Sequence, residues 1–214
     1  TIAFTSGEFR QGYRTIPTDR LENIVNMEVW EGDSLYTWGS GSDYTFNTAM
    51  DGSTLGVSWY FPPTRDSVHT YILRYTVQGG LRYYDDGDQL YWKAVFAEDR
   101  GAPVYESTVT VRLPQGPADP VAAYGAEASI SGQGSDTVTF VAQEILDADQ
   151  EFEVRVQFPH GIVAGSAPSW QADYDRTAEW EEGGKPVVDL LLLVVGVLML
   201  IGGPLLVLLL WHTR

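Results

Sequence analysis

The chain has 214 residues, 13 Lys and Arg against 29 Asp and Glu, a formal net charge of −16 and no Cys. That balance repels phosphate backbones and anionic headgroups, so no nucleic acid is expected as a partner, and the missing thiols exclude disulfides, thiol catalysis and Cys-ligated zinc. The length suffices for one large domain whose core needs no covalent staples.

Along the chain, period-two alternation and β-branched or aromatic enrichment predict strands at 23–30, 44–50 and 55–61. The next runs from 68 to 77, with His69, Tyr71, Leu73, Tyr75 and Val77 on one face. Further strands are expected at 89–96, 105–113, 121–130, 137–142 and 151–158, the last with Phe152, Val154, Val156 and Phe158 buried and Glu151, Glu153 and Arg155 exposed. Turn chemistry separates them at Asp51-Gly52, Pro62-Pro63, Gly79-Gly80, Asp86-Gly87, Pro114 to Pro117 and Ser131 to Gly134. No long helical stripe interrupts these runs. The pattern is all-β: an antiparallel β-sandwich of roughly nine strands with immunoglobulin- or fibronectin-like packing over residues 1–165. The Pro-rich stretch at 114–120 marks an alternative division into two subdomains. Residues 166–186 read as a juxtamembrane linker.

The uncharged run that opens at Leu190 and closes at Leu210 would extend about 30 Å as a helix, the thickness of a hydrocarbon core. With flanks it predicts a transmembrane α-helix over 187–211, with 212–214 starting a cytoplasmic segment and the lipid bilayer as a partner. Lys185 and Arg214 nearly balance across the run, and the acidic N-terminal region is expected outside the cytoplasm. The absence of a signal segment before Thr1, and the stop just after the apolar run, read as truncation at both ends.

Candidate chemistry is sparse. Asp85, Asp86 and Asp88 are spaced to share a calcium ion, but the distal bidentate Glu is missing and a hairpin tip with Asp-Gly needs no metal to explain them. His69, His160 and His212 are far apart, and no Gly-x-Ser-x-Gly elbow marks a nucleophile. No catalytic residue, cofactor or metal ligand is assigned, and enzymatic activity is not expected. Trp30, Trp59 and Trp92 sit in apolar strands and read as core. Trp38, Trp170 and Trp180 are left as surface contacts for a partner or a glycan. Arg14 and Arg74 lie among aromatic and apolar residues, where a guanidinium either stacks on rings or pairs with a carboxylate, a structural role, or clamps an anionic ligand.

Phe9 to Pro17 (FRQGYRTIP), followed by HTYILRY at 69–75, GDQLYW at 87–92 and VRVQFPHG at 154–161 ahead of an apolar run, resembles a family of predicted prokaryotic membrane proteins, domain of unknown function 2207. The resemblance covers nearly the whole chain. It implies an extracytoplasmic domain, preceded by a signal peptide and first strands and followed by a cytoplasmic region with further membrane helices. It carries no assigned activity and no functional residues. The expected function is an interaction or ligand-binding module of a larger membrane protein, meeting an extracytoplasmic protein or glycan; the alternatives are a carbohydrate-binding module and a hydrolase.

Overall fold

The computed structural model describes residues 1–97, 101–181, 186 and 192. The chain forms two compact units, Thr1–Trp170 and Gln171–Arg214. Strands of the first unit are β1 (Ile2–Phe4), β2 (Phe9–Pro17), β3 (Asn23–Glu31), β4 (Ser34–Leu35), β5 (Thr37–Trp38), β6 (Thr45–Asp51), β7 (Thr54–Thr64), β8 (Ser67–His69) and β9 (Tyr71–Gln78). They continue as β10 (Leu81–Arg82), β11 (Asp88–Val95), β12 (Thr108–Arg112), β13 (Val121–Tyr124), β14 (Ala128–Ser131), β15 (Thr137–Ala142) and β16 (Phe152–Phe158). The fold is mostly β, in several sheets, as the alternation predicted.

Sequence order and sheet membership fall into two groups. The strands up to Gln78 make the sheets β2-β7-β6-β5, β4-β3-β9 and the small pair β1-β8, whereas the later strands make β10-β11-β16-β13 and β12-β15-β14. Every pairing is antiparallel except the short β5–β6 contact. Each group has its own core. Ile16, Val29, Phe46, Val57, Trp59 and Phe61 from both larger sheets of the first group pack together, and Val111, Val138, Phe140, Phe152, Val154, Val156 and Phe158 from both sheets of the second do likewise. The division between the cores falls at Gly79-Gly80, while residues 114–120 lie inside the second group. Trp92 packs against both cores.

The strand β16 shows why alternation was a reliable guide: Phe152, Val154, Val156 and Phe158 are buried, while Glu153, Arg155 and Gln157 between them are only half-covered. Those outward residues are shielded because β16 is central, between β11 and β13. Several expectations shift at the boundaries. The run at 68–77 breaks at Thr70 into β8 and β9, and β7 continues through Pro62 and Pro63, which the sequence had marked as a turn. The run at 121–130 splits at Gly125, whose φ of +81° suits glycine and where a Cβ would collide with the Glu151 carbonyl. Strand β2 escaped sequence reading because Gly12 interrupts its pattern; a Cβ there would lie inside the Trp59 indole.

Trp30 corrects the core expectation. Val29 beside it is fully buried, so Trp30 takes the opposite face, where its indole N–H donates to Glu28 Oε2 at 2.9 Å.

The second unit contains α1 (Gln171–Glu179), a helix within residues read as linker. Asp173 in its first turn and Arg176 in its last complement the helix dipole and pair at 3.1 Å. No described helix is long and apolar enough to cross a membrane. The expected span from Leu190 to Leu210 lies outside the described residues apart from Leu192, as do 212–214.

Two adjacent residues of β15 test the core assignment. Phe140 is fully buried and Val141 is 42% exposed. Phe140→Ala is expected to cost about 3–5 kcal/mol in urea unfolding, whereas Val141→Ala stays within about 0.5 kcal/mol. Equal costs would mean that the sheet does not turn the face described.

Candidate functional site

Alternation on β2 puts Gly12, Arg14 and Ile16 on one face. Gly12 and Ile16 are buried, so Arg14 is a charge pointing the way of the core. Its Nη2 donates to the Ala94 carbonyl at 2.8 Å, and its guanidinium lies 5.4 Å from the centre of the Phe96 ring. Among the described residues no carboxylate is within ion-pair distance of it. Arg14 borders a cavity of about 510 Å³ whose other walls include Tyr13, Trp59, Tyr71, Leu73 and Phe96. Two of these carry buried donors without a partner among the described residues, the Trp59 indole N–H and the Tyr71 hydroxyl. A half-buried cation in an aromatic chamber, with hydrogen-bonding capacity unused, is chemically fitted to an anion attached to an apolar body.

A second polar cluster lies close by in sequence register, since Tyr71 of β9 pairs with Glu31 of β3. Glu31 Oε1 meets His69 Nδ1 at 2.5 Å, and Glu31 Oε2 accepts from the Tyr36 hydroxyl at 2.7 Å. The other imidazole nitrogen, Nε2, is 3.1 Å from both Thr64 Oγ1 and Ser67 Oγ, which are themselves 2.5 Å apart. The His69 ring lies near-parallel to those of Phe61 and Tyr71, at 6.2 and 6.0 Å, which are themselves 5.4 Å apart, and Phe4 meets it edge-on at 5.7 Å. Glu31, Thr64 and His69, with Ser34, Tyr44 and Phe61, line a cleft of about 310 Å³. Sequence reasoning placed His69 on a buried face and missed its partners. Ser67 and His69 share that face through their spacing of two, but nothing in the sequence connects them to Glu31.

The remaining sequence candidates are dispersed. Arg74 is exposed, lies 5.5 Å over the Trp30 ring and faces Glu28 across the β3–β9 register, a stacking role away from the Arg14 cavity. Trp38 is 68% exposed on the short edge strand β5, with its ring edge-on to Phe46. Trp170 donates its indole N–H to the Gly79 carbonyl at 2.8 Å, a structural tie. The acidic tip is divided: Asp85 and Asp86 are exposed, whereas Asp88 is fully buried. Asp88 accepts from the Gly161 backbone N–H at 3.1 Å and meets His160 Nδ1 at 2.8 Å. Its carboxylate also accepts from the Tyr84 backbone N–H at 3.3 Å and is thus committed within the protein, whereas Asp85 and Asp86 face solvent.

Electrostatics around the two sites favour neutral phenols. Burial, the hydrogen bond to Glu31 and the Glu31 charge push the Tyr36 hydroxyl far above its ordinary range. Burial and then Glu31 act the same way on Tyr71, and burial raises Tyr75 against the opposing charge of Arg14. Burial disfavours the Lys93 ammonium, but Glu151 at 2.7 Å and Glu153 at 3.4 Å outweigh it and raise its pKa. All four folded values are raised, so their stabilisation is complete below the unfolded values near 10 and is lost as pH rises through the folded ones. A spectrophotometric titration is therefore expected to show a group of phenolates that form only together with alkaline unfolding. Full ionisation of every Tyr in the still-folded protein would refute this.

With the geometry in place, comparison with known proteins adds one relationship. No curated protein and no solved structure matches the chain. Residues 1–158 match the family described as the N-terminal domain of a predicted membrane protein, DUF2207, and the chain belongs to that family.

Proposed function

We propose that this chain is a ligand-binding module displayed outside the cytoplasm and held at the bilayer by the helix that Leu190 to Leu210 would form. The two sheet groups are read as two β-sandwiches, each a four-stranded sheet against a three-stranded one with aligned packing. One observation carries the binding reading: Arg14 turns inward into a cavity of about 510 Å³ beside Phe96, with no carboxylate partner among the described residues. A chain of net charge −16 has acidic groups in excess to neutralise a structural Arg. That no described carboxylate neutralises Arg14 fits a site whose counter-ion arrives with the ligand. The matching ligand class is a carboxylate on an apolar or aromatic body, with the carboxylate on the remaining guanidinium N–H groups and the body against Trp59, Tyr71 and Leu73.

Titration calorimetry with a panel of aryl and alkyl carboxylates tests this. Saturable binding is expected, weakened roughly ten- to hundredfold by Arg14→Gln, the loss of one charge-assisted hydrogen-bond pair. Primary amides of the same shape binding as tightly as the acids would remove Arg14 from the site.

The membrane placement rests on the apolar run, the family description and the acidic composition, which lacks the Lys and Arg that retain short flanks inside. Asp189 would then lie at the outer interface, where a carboxylate stays hydrated. In intact cells, or spheroplasts where an outer membrane is present, protease is expected to remove a tag placed in the β-domain of the full-length protein. A tag that survives until lysis would reverse the orientation.

A further inference from the structure

The cluster around His69 has the order of a nucleophilic site: hydroxyl, imidazole, carboxylate. Glu31 fixes the order. Its carboxylate accepts from Nδ1–H at 2.5 Å, which leaves Nε2 as the bare nitrogen facing Thr64 Oγ1 and Ser67 Oγ at 3.1 Å each. The Tyr36 hydroxyl holds the second Glu31 oxygen, so the carboxylate has little freedom to leave the imidazole. The rings of Phe61, Tyr71 and Phe4 pack against the imidazole at 6.2, 6.0 and 5.7 Å and limit its freedom to turn. The two hydroxyls are brought to 2.5 Å by the connection Arg65-Asp66, in which Asp66 adopts a left-handed φ of 48°, uncommon for a residue with a side chain. Of the two hydroxyl residues, Thr64 lines the cleft of about 310 Å³ together with Glu31 and His69, and Tyr44, Phe61, Pro62 and Pro63 give that cleft apolar walls.

We propose that Thr64, His69 and Glu31, with Ser67 and Tyr36 in support, cleave carboxylic esters carrying an apolar acyl or aryl group. This activity is independent of the Arg14 cavity. Thr64 Oγ1 attacks the ester carbonyl carbon while its proton passes to His69 Nε2. The carbon–oxygen bond to the leaving group then breaks, and that group departs with the proton as an alcohol or phenol. Water attacks the acyl-threonine, gives its proton to Nε2, and the carboxylic acid leaves as Thr64 recovers its proton. Glu31 stabilises the imidazolium without taking its proton. Ser67 donates to Thr64 Oγ1 between turnovers and is a positioning residue, as is Tyr36. Esters suit the arrangement better than amides because an alkoxide or phenoxide needs less assistance to leave than an amine.

Incubation of the full-length protein with an alkyl fluorophosphonate, followed by peptide mapping, reads the site directly. The expected result is a covalent adduct on Thr64 that forms at least about a hundredfold more slowly in His69→Gln, disappears in Thr64→Ala and forms faster in Thr64→Ser, where a primary hydroxyl occupies the same place. Glu31→Gln is expected to displace the pH profile of labelling, which loss of packing alone would not do, and thermal unfolding of each variant confirms that it is folded. No adduct on the unsubstituted protein, an adduct on Ser67 with Thr64 unmodified, or labelling unaffected by His69→Gln would each overturn the proposal.

Discussion

Trp92 packs against both hydrophobic cores of the Thr1–Trp170 unit, and the strand that carries it runs on into the wall of the candidate ligand cavity. Its strand, β11, belongs by hydrogen bonding to the second group, between β10 and β16. By packing it also belongs to the first, since the Trp92 ring lies 6.4 Å from Tyr75 of β9. Beyond Trp92 the strand bulges between Lys93 and Val95, and there the Ala94 carbonyl accepts from Arg14 while Phe96 lies beneath the guanidinium. The cavity therefore has walls from both groups: Arg14, Trp59 and Tyr71 from one, Val95, Phe96 and Val104 from the other. Junctions between packed bodies are where concave sites most often form, because two convex cores cannot fill the space between them.

How much of this was legible in the sequence follows from what each feature depends on. Burial on one face of a strand is a local property, so Phe152 to Phe158 and Tyr71 to Val77 could be read with the correct faces. Strand β2 is stabilised by something non-local. Gly12 leaves room for the indole of Trp59, a residue 47 positions later, and the sequence shows only an interrupted pattern. The short strands β4, β5 and β10 are two residues each, too brief for any periodicity to appear. Trp30 was misplaced because tryptophan suggests core by composition, whereas its neighbour Val29 had already taken the inward position.

The candidate sites divide along the same line. Arg14 and Arg74 looked alike in sequence, each a guanidinium among aromatics. Only the register separates them: Arg14 shares a face with Gly12 and Ile16, while Arg74 alternates with the inward-facing Leu73 and Tyr75 and remains outside. Trp170 advertised itself as a contact residue by its polar surroundings, yet its indole N–H is already committed to Gly79. The Glu31–His69 pair spans 38 positions and is joined only because β3 and β9 are neighbours in one sheet, with β8 following directly on β7. A single-sequence reading can find residues with chemical potential, but their meeting is a consequence of topology.

The charge balance ties these observations together. Most of the 29 acidic residues contribute to a solvated surface, and cations near them are paired where pairing is cheap in entropy: the partly covered Lys93 with Glu151 and Glu153 across one sheet, the exposed Arg10 with Asp43 at the rim. Burying a carboxylate beside each inward cation would cost desolvation of both partners, and the chain does this sparingly. Asp88 is the instructive contrast. It is fully buried yet satisfied by two backbone N–H groups and an imidazole, so the structure spends its buried acid on closing the β10–β11 turn through Tyr84 and tying it to the segment after β16 through His160 and Gly161. Glu31 likewise remains half-covered, shared between Tyr36 and His69. Arg14 stands apart from these arrangements because its charge is balanced by a carbonyl and a ring face, neither of which carries a full opposite charge. A guanidinium in that state keeps its field available to the cavity, and an anion entering there meets an attraction that no described carboxylate has already cancelled.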